Sequence, residues 1–299
     1  MTTADEDHTS SQPAVVVVLG SLHYDIMVEA THRPVKGETV TGDCWYPKFG
    51  GKGGNQAVAA KIHGVDTRLV SATGTDNFSD YLRARLEDAG ISGEYVAQLD
   101  KTATGMSVAI QDAEGDYGAV IVSGANLAIP ADLLEHSALW KNAAVLLLQN
   151  EVPESLNILA ANKAKSLGLP VCINAAPARD MSPEFLSLID VLIVNAVEAE
   201  ALGSIAVNSL DTASLAAMEL SRRFPTVIVT AGGDGVAACS THGDEITLPA
   251  KPIIVSSTHG AGDVFTGVFC AEIANKTSLD VAIEIANDRA ADHVAASQV

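Results

Sequence analysis

Aromatic residues are scarce, at 4% of the chain, although 47% is hydrophobic. A core without many rings must be built from Val, Leu, Ile and Ala, which suits a buried parallel sheet covered by helices. Positive charge is scarce too. Only 18 Lys and Arg stand against 37 Asp and Glu, for a net charge of −19. That balance excludes a broad nucleic-acid footprint, which needs clustered cations. It leaves room for a bound phosphate, whose charge backbone amides and Mg²⁺ can carry locally.

Cys44, Cys172, Cys239 and Cys270 show no CxxC spacing, and three sit in apolar surroundings. Free thiols in a reducing cytosol are expected. The eight histidines show no HExxH or related spacing, so no structural zinc is expected. No apolar run approaches the ~18 residues that span a bilayer. No basic segment precedes Ala14–Leu19, so no secretory signal is expected. These absences together predict a soluble cytoplasmic protein with no membrane partner. Residues 1–13 are polar and acidic and read as a disordered tail. No repeat or linker divides residues 14–299, which read as one domain.

Two familiar nucleotide fingerprints are missing. The first strand, Val15–Leu19, runs into Gly20-Ser21-Leu22-His23-Tyr24-Asp25, which lacks the second glycine of GxGxxG. Gly50-Gly51-Lys52-Gly53-Gly54-Asn55 lacks the GK[ST] of a Walker loop. It reads as a flexible turn or as a close backbone approach to a polar ligand, with Lys52 and Asn55 as donors.

What is present begins at Thr258-His259-Gly260-Ala261-Gly262-Asp263. This run follows a strand-like stretch, Pro252–Val255, and opens an apolar helix, Val264–Ala274. The unpartnered amides of such a turn and the helix dipole form an anion site. Asp is common at helix starts for structural reasons alone. A carboxylate beside a phosphate site can also take a proton from an attacking hydroxyl. Phosphoryl transfer from ATP to an alcohol needs both parts.

Strand-like and helical segments alternate along the chain. Strands are expected at Arg68–Ala72, Ala144–Leu148, Pro170–Ile173, Val191–Val194 and Val227–Thr230. Helices are expected from Asn55 to Gly64, from Phe78 to Gly90, and over Ser155–Ser166 and Ala213–Phe224. The fold class is α/β, with a doubly wound, mostly parallel central sheet and helices on both faces. Ile26–Glu29, Glu38–Thr41, Cys44–Tyr46 and Met106–Ser123 read as short β pieces. Segments of about 22–49 and 106–123 would form a small antiparallel lid sheet, usable as a dimer surface. Asp25, Glu151, Asn174, Asn195 and Gly232-Gly233 follow strands, and would converge on the carboxyl edge of the sheet.

Phe49–Ala60 and Gly260–Asp263, with Asn174–Arg179, Asn195–Glu200 and Gly37–Gly42, resemble the ribokinase family of sugar and nucleoside kinases over about Val16–Ala296. The resemblance implies an ATP-dependent kinase of a pentose, D-ribose giving ribose 5-phosphate. Asp263 would be the general base, and the amides of Gly260, Ala261 and Gly262 an anion hole. His23, Asp25, Gly51, Lys52, Asn55 and Glu151 would bind the sugar. Asn195, Thr230, Gly232, Gly235 and Asn287 would bind the nucleotide. Glu198 would help hold Mg²⁺, partly through water. A homodimer through the lid sheet is implied as well.

Three positions depart from the family pattern. Ser257 replaces an Asp of the K⁺ site, so K⁺ dependence is left open. His23 replaces an Asn that contacts the sugar. The sequence stops at Ser297-Gln298-Val299, where the family continues with a Gly-rich loop, and weaker nucleotide binding is expected. His259 reads as a solvent-facing residue or a phosphate contact. Kinases of another small sugar or a nucleoside, and a catalytically weak sugar- or nucleotide-binding protein, remain as alternatives.

Overall fold

The computed structural model describes residues 13–114, 117–254 and 260–296. Its strands, in chain order, are β1 (Val15–Leu19), β2 (His23–Ala30), β3 (Gly42–Gly50), β4 (Asp66–Thr73), β5 (Val96–Gln98), β6 (Met106–Gln111), β7 (Tyr117–Val122), β8 (Ala143–Gln149), β9 (Val171–Asn174), β10 (Val191–Asn195), β11 (Thr226–Thr230), β12 (Gly235–Ser240) and β13 (Glu245–Pro249). The helices are α1 (Lys52–Ile62), α2 (Asn77–Asp88), α3 (Glu154–Ser166), α4 (Pro183–Leu186), α5 (Ala196–Ala201), α6 (Leu210–Leu220), α7 (Ala261–Ala274) and α8 (Leu279–Ala296). Among the described residues no helix is long and apolar enough to cross a membrane.

The large sheet has the order β13-β12-β11-β10-β9-β8-β1-β4-β5. It is parallel from β11 through β5, and β12 and β13 add an antiparallel edge. Burial explains the continuous apolar run of β1. Val15, Val17 and Leu19 enter the core under α3 and α6, whereas Val16 and Val18 enter the core under α1, α2, α7 and α8. Successive side chains point to opposite faces, so both faces require apolar residues. Cys172, Cys239 and Cys270 are buried and Cys44 is exposed.

The lid sheet has the order β3-β2-β6-β7. Its hairpins β2/β3 and β6/β7 are antiparallel as expected, but the seam joining β2 to β6 is parallel. Tyr24 on β2 stacks on Phe78 of α2 with centroids 4.1 Å apart, tying the lid to the main body.

Several local expectations are corrected. Residues 38–41 form no strand, and β3 begins after them. Residues 252–254 form no strand either, and Val255 lies outside the described residues; β13 pairs at the sheet edge instead. Its Glu-Ile-Thr-Leu alternation fits one half-buried face. α6 spans Leu210–Leu220 rather than 213–224, because Ser209 and Thr212 form a capping box at its start. α1 starts at Lys52, three residues before Asn55, so Gly53 and Gly54 lie inside it. Glycine there weakens a helix by about 1 kcal/mol. Packing overrides that preference, since a Cβ on Gly53 would lie 2.5 Å from the Cα of Gly20.

The same device brings α1 against α7. A Cβ on Gly267 would lie 2.4 Å from the carbonyl oxygen of Gln56 and 2.8 Å from the Cβ of Ala59. The two helices are therefore in backbone contact one turn beyond Asp263. At their far ends the imidazole of His63 and the carboxylate of Glu272 meet at 2.5 Å, and Thr277 Oγ1 donates to the same carboxylate at 2.6 Å. Burial opposes the charge on Glu272, but these two contacts hold its carboxyl below the usual range.

Gly267→Ala should destabilise the fold by about 1–3 kcal/mol through overpacking against α1. Urea unfolding of the variant checks this, and an unchanged midpoint would show that the helix contact is loose.

Candidate active site

Gly260, with a left-handed backbone (φ 84°), is the N-cap of α7, and no side chain caps the first amides among the described residues. The amides of Gly260, Ala261 and Gly262 lie within the first turn, where no intrahelical partner exists. An anion there meets both the donors and the positive end of the dipole. Asp263 sits in the same turn and is 8% exposed. Its two carboxylate oxygens have different partners from α1. Asn55 Nδ2 donates to Oδ2 at 3.2 Å, and Gln56 Nε2 donates to Oδ1 at 2.9 Å.

A cavity of about 560 Å³ opens beside this turn, lined by Lys48, Asn55, Gly260, Asp263 and His293 among others. Lys48 was not anticipated from sequence. It stands across from Asp25 in the β2/β3 ladder. Burial pushes its ammonium below the usual lysine range, and the charge of Asp25 opposes that effect. Asp25 lies within β2 rather than after β1, and Ser107 Oγ donates to its Oδ1 at 2.5 Å. Spacing along the sequence gives no signal for Lys48, because it meets Asp25 only through the register between two strands.

Glu151 follows β8 and ties down the start of α1. Its Oε2 accepts from Ser21 Oγ at 2.5 Å and from the Lys52 amide at 2.8 Å. His23 Nδ1 lies 3.9 Å from the same oxygen. The imidazole is buried and its Nε2 has no hydrogen-bond partner. Gly51 precedes α1 with φ 88°, a conformation that favours glycine. His23, Asp25, Gly51, Lys52 and Glu151 thus meet where the lid joins the main body.

Asn195 and Glu198 form a capping box at α5. Asn195 Oδ1 accepts from the Glu198 amide and Glu198 Oε2 accepts from the Asn195 amide, each at 2.9 Å. Burial raises the Glu198 carboxyl above its usual range; the nearby Lys52 charge works against this and the Asp263 charge adds to it.

The remaining expected residues form a row along the sheet edge. Thr230 pairs in register with Asn195, and its Oγ1 donates to the Val194 carbonyl at 3.4 Å. Gly232 begins the turn after β11, and Gly235 (φ 121°) opens β12 opposite Pro249. Asn287 Nδ2 donates to the Pro249 carbonyl at 3.3 Å, which joins α8 to this edge. Ser257 and His259 lie outside the described residues. Asn174, the fifth strand-end residue, accepts from Gln56 Nε2 at 3.1 Å.

Comparison with known proteins identifies the family and the fold. The model of the pfkB family carbohydrate kinases matches residues 14–298. Ribokinase of Mus musculus is 33% identical over 275 residues, covering 90% of this chain and 85% of that protein. Deoxyribokinase of Salmonella typhi is 30% identical over 272 residues, covering 90% and 89%. The structure of Arabidopsis thaliana ribokinase complexed with ribose and ATP superposes with a TM-score of 0.87 at 30% identity, covering 97% of this chain and 95% of that one. A Burkholderia thailandensis nucleoside kinase in complex with inosine shares the fold, with a TM-score of 0.78 at 21% identity and coverage of 94% and 92%. The chain belongs to the pfkB family of carbohydrate kinases and is a phosphotransferase acting on an alcohol group.

Proposed function

We propose that this chain transfers the γ-phosphoryl group of ATP to a hydroxyl of a pentose, converting D-ribose to ribose 5-phosphate. The observation that carries the reading is Asp263 in the first turn of α7, beside uncapped helix amides and held by Asn55 and Gln56. Asp263 takes the hydroxyl proton while the hydroxyl oxygen bonds to the γ-phosphorus. The bond to the bridging oxygen breaks and ADP leaves. The amides of Gly260, Ala261 and Gly262 hold the transferring group, so alignment and charge stabilisation do most of the work.

His23, Asp25, Gly51, Lys52, Asn55 and Glu151 bind the pentose in this reading. Asn195, Thr230, Gly232, Gly235 and Asn287 line the nucleotide site. Mg²⁺ fits the donor chemistry: Glu198 is a buried carboxylate near the charge of Asp263, with one oxygen committed to its capping box. Glu198 would hold the ion partly through water, with the ATP phosphates completing the shell, and the ion would neutralise phosphate charge. Ser257 lies outside the described residues, so no step is assigned to K⁺. The reading places the chain in the cytoplasm, where ATP and free pentose meet. The lid face carrying Trp45, Val120 and Val122 is exposed and apolar, which suits a homodimer.

A second acceptor is favoured by one observation. The buried imidazole of His23 stands against Glu151 with an unpaired Nε2, so the site offers a bulky ring where an amide would be smaller. A deoxypentose or a nucleoside is the alternative substrate.

Asp263→Ala should lower kcat by about 10²–10⁴-fold, read as ADP release with ATP, Mg²⁺ and D-ribose, while sugar binding by calorimetry survives. Full turnover in the variant would remove Asp263 from the base role. In a panel of D-ribose, 2-deoxy-D-ribose and inosine, D-ribose should give the highest kcat/KM. An inert D-ribose with either of the others turned over would decide for the second acceptor. Light scattering after size exclusion should return twice the chain mass, and Trp45→Asp should return a monomer; a monomeric parent chain would discard the lid dimer.

A further inference from the structure

Gln56 is wholly buried at the centre of the site and touches Asp263 without lining the cavity. Its Nε2 donates to Asp263 Oδ1 at 2.9 Å and to Asn174 Oδ1 at 3.1 Å, and its Oε1 accepts from Gln149 Nε2 at 2.7 Å. Gln149 is also wholly buried, and its backbone carbonyl accepts from Asn157 Nδ2 on α3 at 2.8 Å. An ionised carboxylate only accepts hydrogen bonds, so the Asp263 end dictates how each amide points. A reversed Gln56 would turn its carbonyl toward the carboxylate and face Gln149 with a second donor. The amides therefore run in one direction, from Gln149 through Gln56 to Asp263.

The fold gives up packing to keep this chain of amides. A Cβ on Gly20 would lie 2.0 Å from Gln149 Oε1, so the bare end of β1 houses the amide. That oxygen has no hydrogen-bond partner. A side chain serving only to fill the space would do better without a polar group left unpaired in the interior. The two oxygens of Asp263 are also unequal. Asn55, which holds Oδ2, lines the cavity beside Lys48 and Gly260, whereas Gln56 does not.

We propose that Gln56 is a positioning residue for phosphoryl transfer. It occupies Oδ1 through the amide chain from Gln149 and leaves Oδ2, on the cavity side, to receive the acceptor's proton. The proposal rests on the reading of Asp263 as the base. Because Gln149 acts only through Gln56, the two residues should behave as one unit, which packing roles at separate sites would not do.

The test is a double-mutant cycle of Gln56→Leu, Gln149→Leu and the pair, with ADP release measured against acceptor and ATP concentration. Gln56→Leu should lower kcat by about 10- to 100-fold, in line with the cost of misplacing a reacting group, and leave both KM values within about twofold. Gln149→Leu should lower kcat less, and the pair should be no worse than Gln56→Leu alone. Additive losses, or a rise in KM with kcat intact, would overturn the assignment. If circular dichroism shows that Gln56→Leu does not fold, Gln56→Met takes its place in the cycle. Asp263→Ala, run alongside, separates the two claims. An active Asp263→Ala removes the base and this proposal together. An inactive one combined with an additive cycle removes Gln56 alone.

Discussion

The site depends on how closely α1 approaches α7. Gly267 permits backbone contact with Gln56, and that contact brings two amide side chains of α1 onto the carboxylate of Asp263. α1 is fixed at three further places. Glu151 accepts the first amide of the helix, Gly53 lies against Gly20, and His63 meets Glu272 of α7 at the far end. A helix held at both ends and along one side cannot easily shift its Asn55 and Gln56 relative to α7. That rigidity suits a reaction whose protein contribution is mainly alignment and fixed charge.

Charge pairing inside the site follows from the cost of burying ions. The chain as a whole is strongly acidic, yet the acids of the site have cations or donors nearby. Asp25 faces Lys48 across the lid ladder, Glu151 lies near His23, and Glu198 feels the charge of Lys52. Asp263 is met by neutral amides instead. In the proposed reading, in which Asp263 accepts a proton, such a carboxylate is better held by donors that do not compete as fixed cations, leaving the adjacent helix amides for a phosphoryl group.

The architecture was legible in the sequence because the apolar runs and glycine breaks mark strands buried on both faces. Gly260–Asp263 was legible as the start of an apolar helix for a similar reason, whereas the same pattern also has a purely structural reading and does not by itself assign Asp263 a role. The failures have causes of their own. Gly53 and Gly54 read as loop because propensity ignores the close contacts, of Gly53 with Gly20 and of Gly54 with Leu22 and Phe49, that admit them to a helix. The β13 edge strand was missed because its alternation is short and half buried. Lys48 and Gln56 become site residues only through pairings across β2/β3 and between α1 and α7, which sequence spacing does not encode. Asn195 and Glu198 were expected as ligand residues, and the structure gives them a helix-capping task as well.

The most direct test of the account is a crystal structure of the chain with D-ribose and a non-hydrolysable ATP analogue. The account predicts a pentose hydroxyl within about 3.2 Å of Asp263 Oδ2, facing a γ-phosphate seated on the amides of Gly260–Gly262, with Gln56 still bonded to Oδ1. A hydroxyl bonded to Oδ1, or a γ-phosphate remote from the first turn of α7, would contradict it.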